Sequence, residues 1–165
     1  MKNAYRKKRS FWYNLKNFDK SNIPAYGPDK IILAGFEFVL CDSKCNPKNI
    51  FVAVNSFNES QMCYELDNKN IGIMCGDQTK IFSNIVCSIL NGISELTYNM
   101  NKCNRLPTAP KLDFVNFYAS GYNGKFCKTL TYSEIHFPRH PYYPLYIYFM
   151  QLFNEMRKLA VEKNN

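Results

Sequence analysis

The spacing of apolar residues gives the first half of the chain a strand-like pattern. Runs rich in β-branched and aromatic residues at 30–41, 50–55 and 61–75 predict three strands, the third interrupted at 67–70. Gly35, in the middle of the first run, indicates a bulge or a sharp bend, because a glycine inside a strand often marks one.

From about residue 78 the apolar period becomes helical. Isoleucines recur every four residues from Ile81 to Ile93, which predicts a helix over 78–99 that packs one face on a core. Asp77 is the expected N-cap of this helix, since a short acidic side chain can accept from the first free backbone amides.

The next segment returns to strands. A loop at 101–110, with two prolines, leads to strands predicted over 111–120 and 126–137. Asn123-Gly124 between them is a strong hairpin signal.

A last helix is predicted over 144–161, and its first half is apolar nearly all round. Such a helix must be buried on every side. We expect one face to meet its own sheet and the other a second protein; the alternative is a helix wedged entirely within its own domain. The expected partner interface is the apolar stripe Leu145, Phe149, Leu152, Phe153, Met156 and Leu159.

Length and composition are those of one globular domain, with 165 residues, 46% hydrophobic and 21% charged. They exclude disordered, collagen-like and coiled-coil chains. Neither an apolar run of membrane-spanning length nor a signal-type apolar segment after the basic start is present, so we expect an intracellular protein without a membrane partner. The expected divisions are a basic arm and connector at 1–27, a β domain at 28–140 and the last helix at 141–165.

The positive charge is concentrated at the start of the chain. The net charge is +8, and residues 1–20 hold seven Lys or Arg against one Asp, which leaves only +2 for the rest. A polybasic arm can bind phosphates or acidic partners; the alternative is a solvated tail. Three consecutive aromatic residues at 11–13 favour docking. The candidate phosphate contacts of the arm are Arg6, Lys7, Lys8 and Arg9.

The seven cysteines favour neither a disulfide framework nor a metal site. Their number is odd and no CxxC pair occurs, whereas structural zinc prefers short paired spacings. We expect buried free thiols and no cofactor. The sequence has no P-loop, GxGxxG, HExxH or GxSxG motif, so we expect a protein that is not an enzyme. A small enzyme that uses one cysteine is a remote alternative.

The order of three strands, a helix, two strands and a final helix is that of an oligonucleotide/oligosaccharide-binding (OB) barrel with five strands and an appended helix. With Gly35 in KIILAGFEFVL, IFVAVN and the closing run DFVNFYASGYNGKFCKTLTYSEIHF, the chain resembles the middle subunit of replication protein A and the Stn-type subunit of the telomeric CST complex. The resemblance covers about residues 28–162 as a pattern of elements. His140-Pro141 replaces an expected acidic-proline pair, and the usual Asp-Asp-Ser/Thr-Gly turn after the second strand is missing. IHFPRHPYYP also resembles a stretch of ubiquitin-conjugating and RWD domains, but no active-site His-Pro-Asn and cysteine follow.

The resemblance implies a nuclear subunit of a complex that binds single-stranded DNA, in replication or telomere maintenance, together with partner OB-fold subunits. Such folds stack bases on aromatic side chains while Lys and Arg follow the backbone. The candidate contacts on the barrel are Phe51, Tyr64, Tyr118, Tyr122, Lys48, Lys125 and Lys128. The alternative hypothesis is a structural component of a large ribonucleoprotein or organellar assembly, located in an organelle or in the cytoplasm, whose basic arm enters RNA.

Overall fold

A computed structural model describes residues 4–13, 23–65, 71–75 and 80–162. The strands are β1 (Ile31–Cys41), β2 (Pro47–Asn55), β3 (Ser60–Glu65), β4 (Ile71–Cys75), β5 (Asn101–Lys102), β6 (Phe114–Gly121) and β7 (Gly124–Thr131). The helices are α1 (Ala4–Tyr13), α2 (Lys80–Leu96), α3 (Tyr132–Ile135) and α4 (Tyr143–Glu162), and a short 3₁₀ turn, Thr97–Asn99, follows α2.

The strands form one antiparallel sheet with the order β4-β3-β2-β1-β6-β7-β5. The predicted combination of an antiparallel sheet with helices, one of them between the early strands and the later hairpin, is confirmed. The sheet is open, with β4 and β5 at its edges, so the described strands do not close into a barrel. The residues that the structure describes form seven strands, where five were expected.

The additional strands come from segments whose pattern is short or interrupted. The expected third strand is a hairpin of β3 and β4, in which Gln61 pairs with Cys75 and Glu65 with Ile71. β5 has only two residues and lies within the predicted loop. The interruption at 67–70 and the expected cap Asp77 lie outside the described residues.

The main core lies between one face of the sheet, here called the helical face, and helices α2 and α4. Alternation along β1 points Ala34, Phe36 and Phe38 to this face, where the Phe36 ring lies 5.3 Å from Phe149 of α4 and 4.9 Å from Phe117 of β6. The isoleucine stripe of α2 is buried there from Ile85 onward, whereas Ile81 at its start is 60% exposed.

The final strand is shorter than predicted because a helix begins within the expected range. Thr131 ends β7 and caps α3: its hydroxyl accepts from the backbone amide of Glu134, and the Glu134 carboxylate accepts from the amide of Thr131. This reciprocal capping box satisfies amides that a strand would offer to a neighbour. The hairpin at Asn123-Gly124 is confirmed, with Gly124 at φ +130°.

Candidate functional site

The opposite side of the sheet, here called the second face, is also covered. Along β1, alternation points Leu33, Gly35 and Glu37 to this side, and Glu37 is fully buried. The cover comes from α1, whose Tyr5 and Arg9 lie one helical turn apart and are both buried. The described part of the expected basic arm is therefore a helix docked on the sheet.

Glu37 is the centre of a hydrogen-bonded cluster. Its Oε1 accepts from the Tyr5 hydroxyl at 2.8 Å and lies 2.6 Å from Nε of Arg9. Its Oε2 accepts from Arg9 Nη2 at 2.7 Å, from the Tyr118 hydroxyl, and from Asn116 Nδ2 at 3.3 Å. A buried carboxylate is costly unless it is paired and its oxygens accept hydrogen bonds, and here both conditions are met.

The sheet register brings the cluster together. Glu37 of β1 pairs with Asn116 of β6, and Gly35 pairs with Tyr118. Thr129 of β7 donates from its hydroxyl to Asn116 Oδ1 at 2.7 Å, which fixes the orientation of the amide. Polar groups of three adjacent strands are therefore connected in one network that includes the Glu37 carboxylate.

Because Gly35 has no side chain, the rings of Phe51 and Tyr118 can pack over it beside this cluster. A Cβ at this position would lie 2.9 Å from the Phe51 ring and 3.4 Å from the Tyr118 ring. The two rings meet above it edge to face, with centroids 5.8 Å apart. The register is continuous at Gly35 and shifts between Ile31 and Leu33, so the prediction of a bulge at Gly35 is wrong.

Burial and charge shift the titration of the cluster. Burial raises the pKa of Tyr5 and of Tyr118, and the neighbouring Glu37 carboxylate raises both further. Burial lowers the pKa of Arg9, but Glu37 and Tyr118 together raise it by more, so the net pKa is raised. Both phenols therefore remain neutral donors and Arg9 remains a cation at physiological pH.

A groove of about 520 Å³ lies between α1 and the segment 106–109. Its α1 wall carries Arg6 and Lys7, which are exposed, and Arg9, which is buried. The opposite wall is formed by Leu106, Pro107, Thr108 and Ala109. Two exposed cations at the rim of a groove can hold an anionic ligand such as a phosphate.

The prediction that Phe51 and Tyr118 stack bases at the protein surface is wrong. Phe51 is 1% exposed and Tyr118 is 0% exposed, because the second face is a small core and not a solvent-exposed surface. Tyr64 is half-buried on the helical face, and its ring lies where a Cβ of Gly72 would be. Tyr122 is half-buried in the β6–β7 turn.

The predicted basic contacts do not form one surface. Arg9 is committed to Glu37 and cannot contact phosphate as placed, and Lys8 is half-buried. Lys48, Lys125 and Lys128 are also half-buried, and alternation puts Lys125 and Lys128 on opposite faces of β7. Of the predicted cations, Arg6 and Lys7 remain together and exposed.

The stripe expected to bind a partner lies in the protein's own core. Its members Leu145, Phe149, Leu152, Phe153 and Met156 are at most 3% exposed, and Leu159 is half-buried against the same core. The prediction of a partner interface at these six positions is wrong, because α4 uses this stripe to pack on the sheet and α2. The helix exposes Ile147 and Tyr148 on another side.

Sequence reasoning missed Tyr5, Glu37 and Asn116. A signal was available: IILAGFEFVL and IFVAVN are apolar at successive positions, which is typical of strands buried on both faces. A single Glu in such a strand requires buried partners, and Asn116 in FVNFYA is the matching polar residue in another apolar strand.

All seven cysteines are free thiols. Only Cys63 is buried; Cys41, Cys45 and Cys75 are exposed and the other three are intermediate, so burial is not their shared property. Within the described ranges, no three His, Cys, Asp or Glu side chains are grouped closely enough to hold a metal ion. Across those same ranges, no helix has the length and apolar character needed to cross a membrane.

The chain matches no protein-family model and no curated protein sequence.

Proposed function

We propose that this protein is a non-enzymatic nucleic-acid-binding subunit, and that the groove between α1 and residues 106–109 holds the phosphate backbone. The observation that carries this proposal is the pair of exposed cations, Arg6 and Lys7, at the rim of the groove. Arg9, two residues further, is neutralised by Glu37 and serves to dock the helix. Phosphate contacts by Lys and Arg supply most non-specific affinity for nucleic acid.

The element order supports single-stranded DNA as the first ligand to test. The β1–β2–β3 meander, the helix α2 and the β6–β7 hairpin on β1 follow the order of the OB-type subunits that the sequence resembles. Because the sheet is open, the proposal depends on the groove and not on the interior or aromatic face of a barrel. By the same resemblance we propose partner OB-fold subunits and a nuclear role in DNA replication or telomere maintenance.

The test is fluorescence anisotropy of a labelled single-stranded DNA at two or more salt concentrations. We expect Arg6→Glu with Lys7→Glu to weaken binding by on the order of tenfold and to reduce the slope of log K against log salt by about 1.4, since each single-strand phosphate contact contributes about 0.7. The matched control is Lys44→Glu with Lys80→Glu, which changes net charge equally at two exposed positions outside the groove.

Each outcome has a definite meaning. Loss of affinity in the first variant alone supports the groove as the site. An equal loss in both variants contradicts it, because attraction would then follow net charge only. Tighter binding to a single-stranded RNA of the same length would favour the ribonucleoprotein alternative over the DNA-binding one. No binding by the wild-type chain would reject the proposed function.

A further inference from the structure

Both walls of the groove are attached to the same buried carboxylate. The first attachment is through α1. Arg9 Nη2 donates to Glu37 Oε2 at 2.7 Å and also to the backbone carbonyl of Pro107 at 2.6 Å. One guanidinium therefore connects the helix, the sheet and the facing segment.

The second attachment does not involve α1. Asn116 Nδ2 donates to Glu37 Oε2 at 3.3 Å and to the backbone carbonyl of Thr108 at 3.0 Å. The segment 106–109 has no regular secondary structure, so these side-chain bonds replace the hydrogen bonds that a strand would supply. Glu37 therefore accepts a hydrogen bond from Arg9, which belongs to the α1 wall, and another from Asn116, which holds the 106–109 wall.

We propose that Glu37 is the positioning residue of the groove: a buried anion that touches no ligand but sets the distance between a cation-bearing helix and the wall opposite it. The inference rests on the proposed function, because it assigns the groove an anionic ligand. Glu37 is 0% exposed, so a ligand does not reach it. Its effect on binding passes through Arg9 and Asn116.

The proposed role of Glu37 predicts a change in binding affinity that is opposite to the change predicted from net charge alone. Replacing Glu37 with glutamine raises the formal net charge from +8 to +9, which by itself strengthens attraction to nucleic acid. If Glu37 holds the walls, the same change weakens binding, because α1 loses its ionic anchor and Arg6 and Lys7 lose their fixed position. The sign of the change therefore separates the two explanations.

The experiment measures binding and helix docking in the same variants. We expect Glu37→Gln to lower the affinity for single-stranded DNA by on the order of tenfold, about the loss expected when two phosphate contacts are released. We also expect faster tryptic cleavage after Arg6, Lys7 or Lys8. The control, Glu95→Gln, removes the same charge at an exposed position on α2 and should leave affinity and cleavage near the wild-type values.

A second variant, Arg9→Lys, tests the proposal in case Glu37→Gln does not fold. Arg9→Lys keeps the positive charge beside Glu37, but one ammonium nitrogen cannot replace the two guanidinium nitrogens, of which Nε lies 2.6 Å from Glu37 Oε1 and Nη2 lies 2.7 Å from Glu37 Oε2. With urea unfolding still cooperative, we expect this variant to bind DNA more weakly than the wild-type chain. Weaker binding in either folded variant, with cleavage increased, supports the proposal.

Glu37→Gln binding as tightly as the wild-type chain or more tightly, in a folded protein, would overturn it. Unchanged binding by Arg9→Lys would overturn it as well, should Glu37→Gln not fold. If only the proposed function is wrong, the wild-type protein binds no DNA, but tryptic cleavage of α1 still increases in Glu37→Gln. That result would show that Glu37 anchors the helix although the groove binds no nucleic acid.

Discussion

The two faces of the sheet are covered in different ways. On the helical face, long helices bring Phe149 and the rest of the α4 stripe onto Phe36 and Phe117 in an apolar core. On the second face, the ten-residue helix α1 is attached through Tyr5 and Arg9 to a buried carboxylate. Apolar packing is additive and non-directional, whereas a buried polar cluster needs every partner. The first face therefore carries stability, and the second carries a defined arrangement of groups.

The largest effect is expected on the helical face. Phe149 is fully buried, so Phe149→Glu puts a charge into the core and should prevent folding. Phe149→Ala should cost about 3–5 kcal/mol in the free energy of unfolding, measured by urea denaturation. A folded, stable Phe149→Glu protein would show that α4 does not pack here and would restore its role as a partner interface.

The next effect tests whether the second face depends on paired charges. Glu37→Leu leaves Arg9 buried without its carboxylate, and we expect a cost of about 3–5 kcal/mol in the free energy of unfolding. Adding Arg9→Met removes the stranded charge and should recover part of that cost. Recovery should be incomplete, because Tyr5, Asn116 and Tyr118 still lose their acceptor.

A volume-conserving change on the helical face is the control for this prediction. Leu152→Met should cost less than about 1.5 kcal/mol, since apolar cores tolerate such exchanges. If Glu37→Leu is tolerated equally well in urea denaturation, the two faces do not differ in the way described.

The smallest effect is expected at the surface ion pair of α4. Lys158 Nζ lies 2.7 Å from Glu155 Oε1, close to the 2.6 Å between Arg9 and Glu37, but the Lys158 side chain is 66% exposed. Lys158→Ala should change the free energy of unfolding by no more than about 0.5 kcal/mol, because water screens the pair. A loss comparable to that of Glu37→Leu would show that distance, and not burial, determines the contribution.

Much of the local structure could be predicted from the sequence. The period of the isoleucines located α2, the Asn123-Gly124 pair located the β6–β7 hairpin, and the apolar runs located β1 and β2. These signals depend on residues close together in the chain. Strands as short as β5 carry no such signal, whereas the capping box that ends β7 is a local one, since Thr131 and Glu134 are only three residues apart.

The candidate site could be predicted only in part. The basic segment was identified, and Arg6 and Lys7 remain its exposed members. The role of Arg9 could not be read from its neighbours, because its partner Glu37 lies 28 residues away. Phe51 and Tyr118 lie together on the second face, but the cover by α1 makes both of them core residues and not surface contacts.

The sequence by itself determined the longer strands, the main helices and the concentration of positive charge at the beginning of the chain, since each follows from local spacing and composition. Only the tertiary structure decided that the sheet stays open and that the α4 stripe faces inward. It also decided that, of the four cations at 6–9, Arg9 docks while Arg6 and Lys7 stay exposed. These outcomes depend on which surfaces cover one another. Burial by a distant segment changes the energy of a side chain more than its neighbours in sequence do.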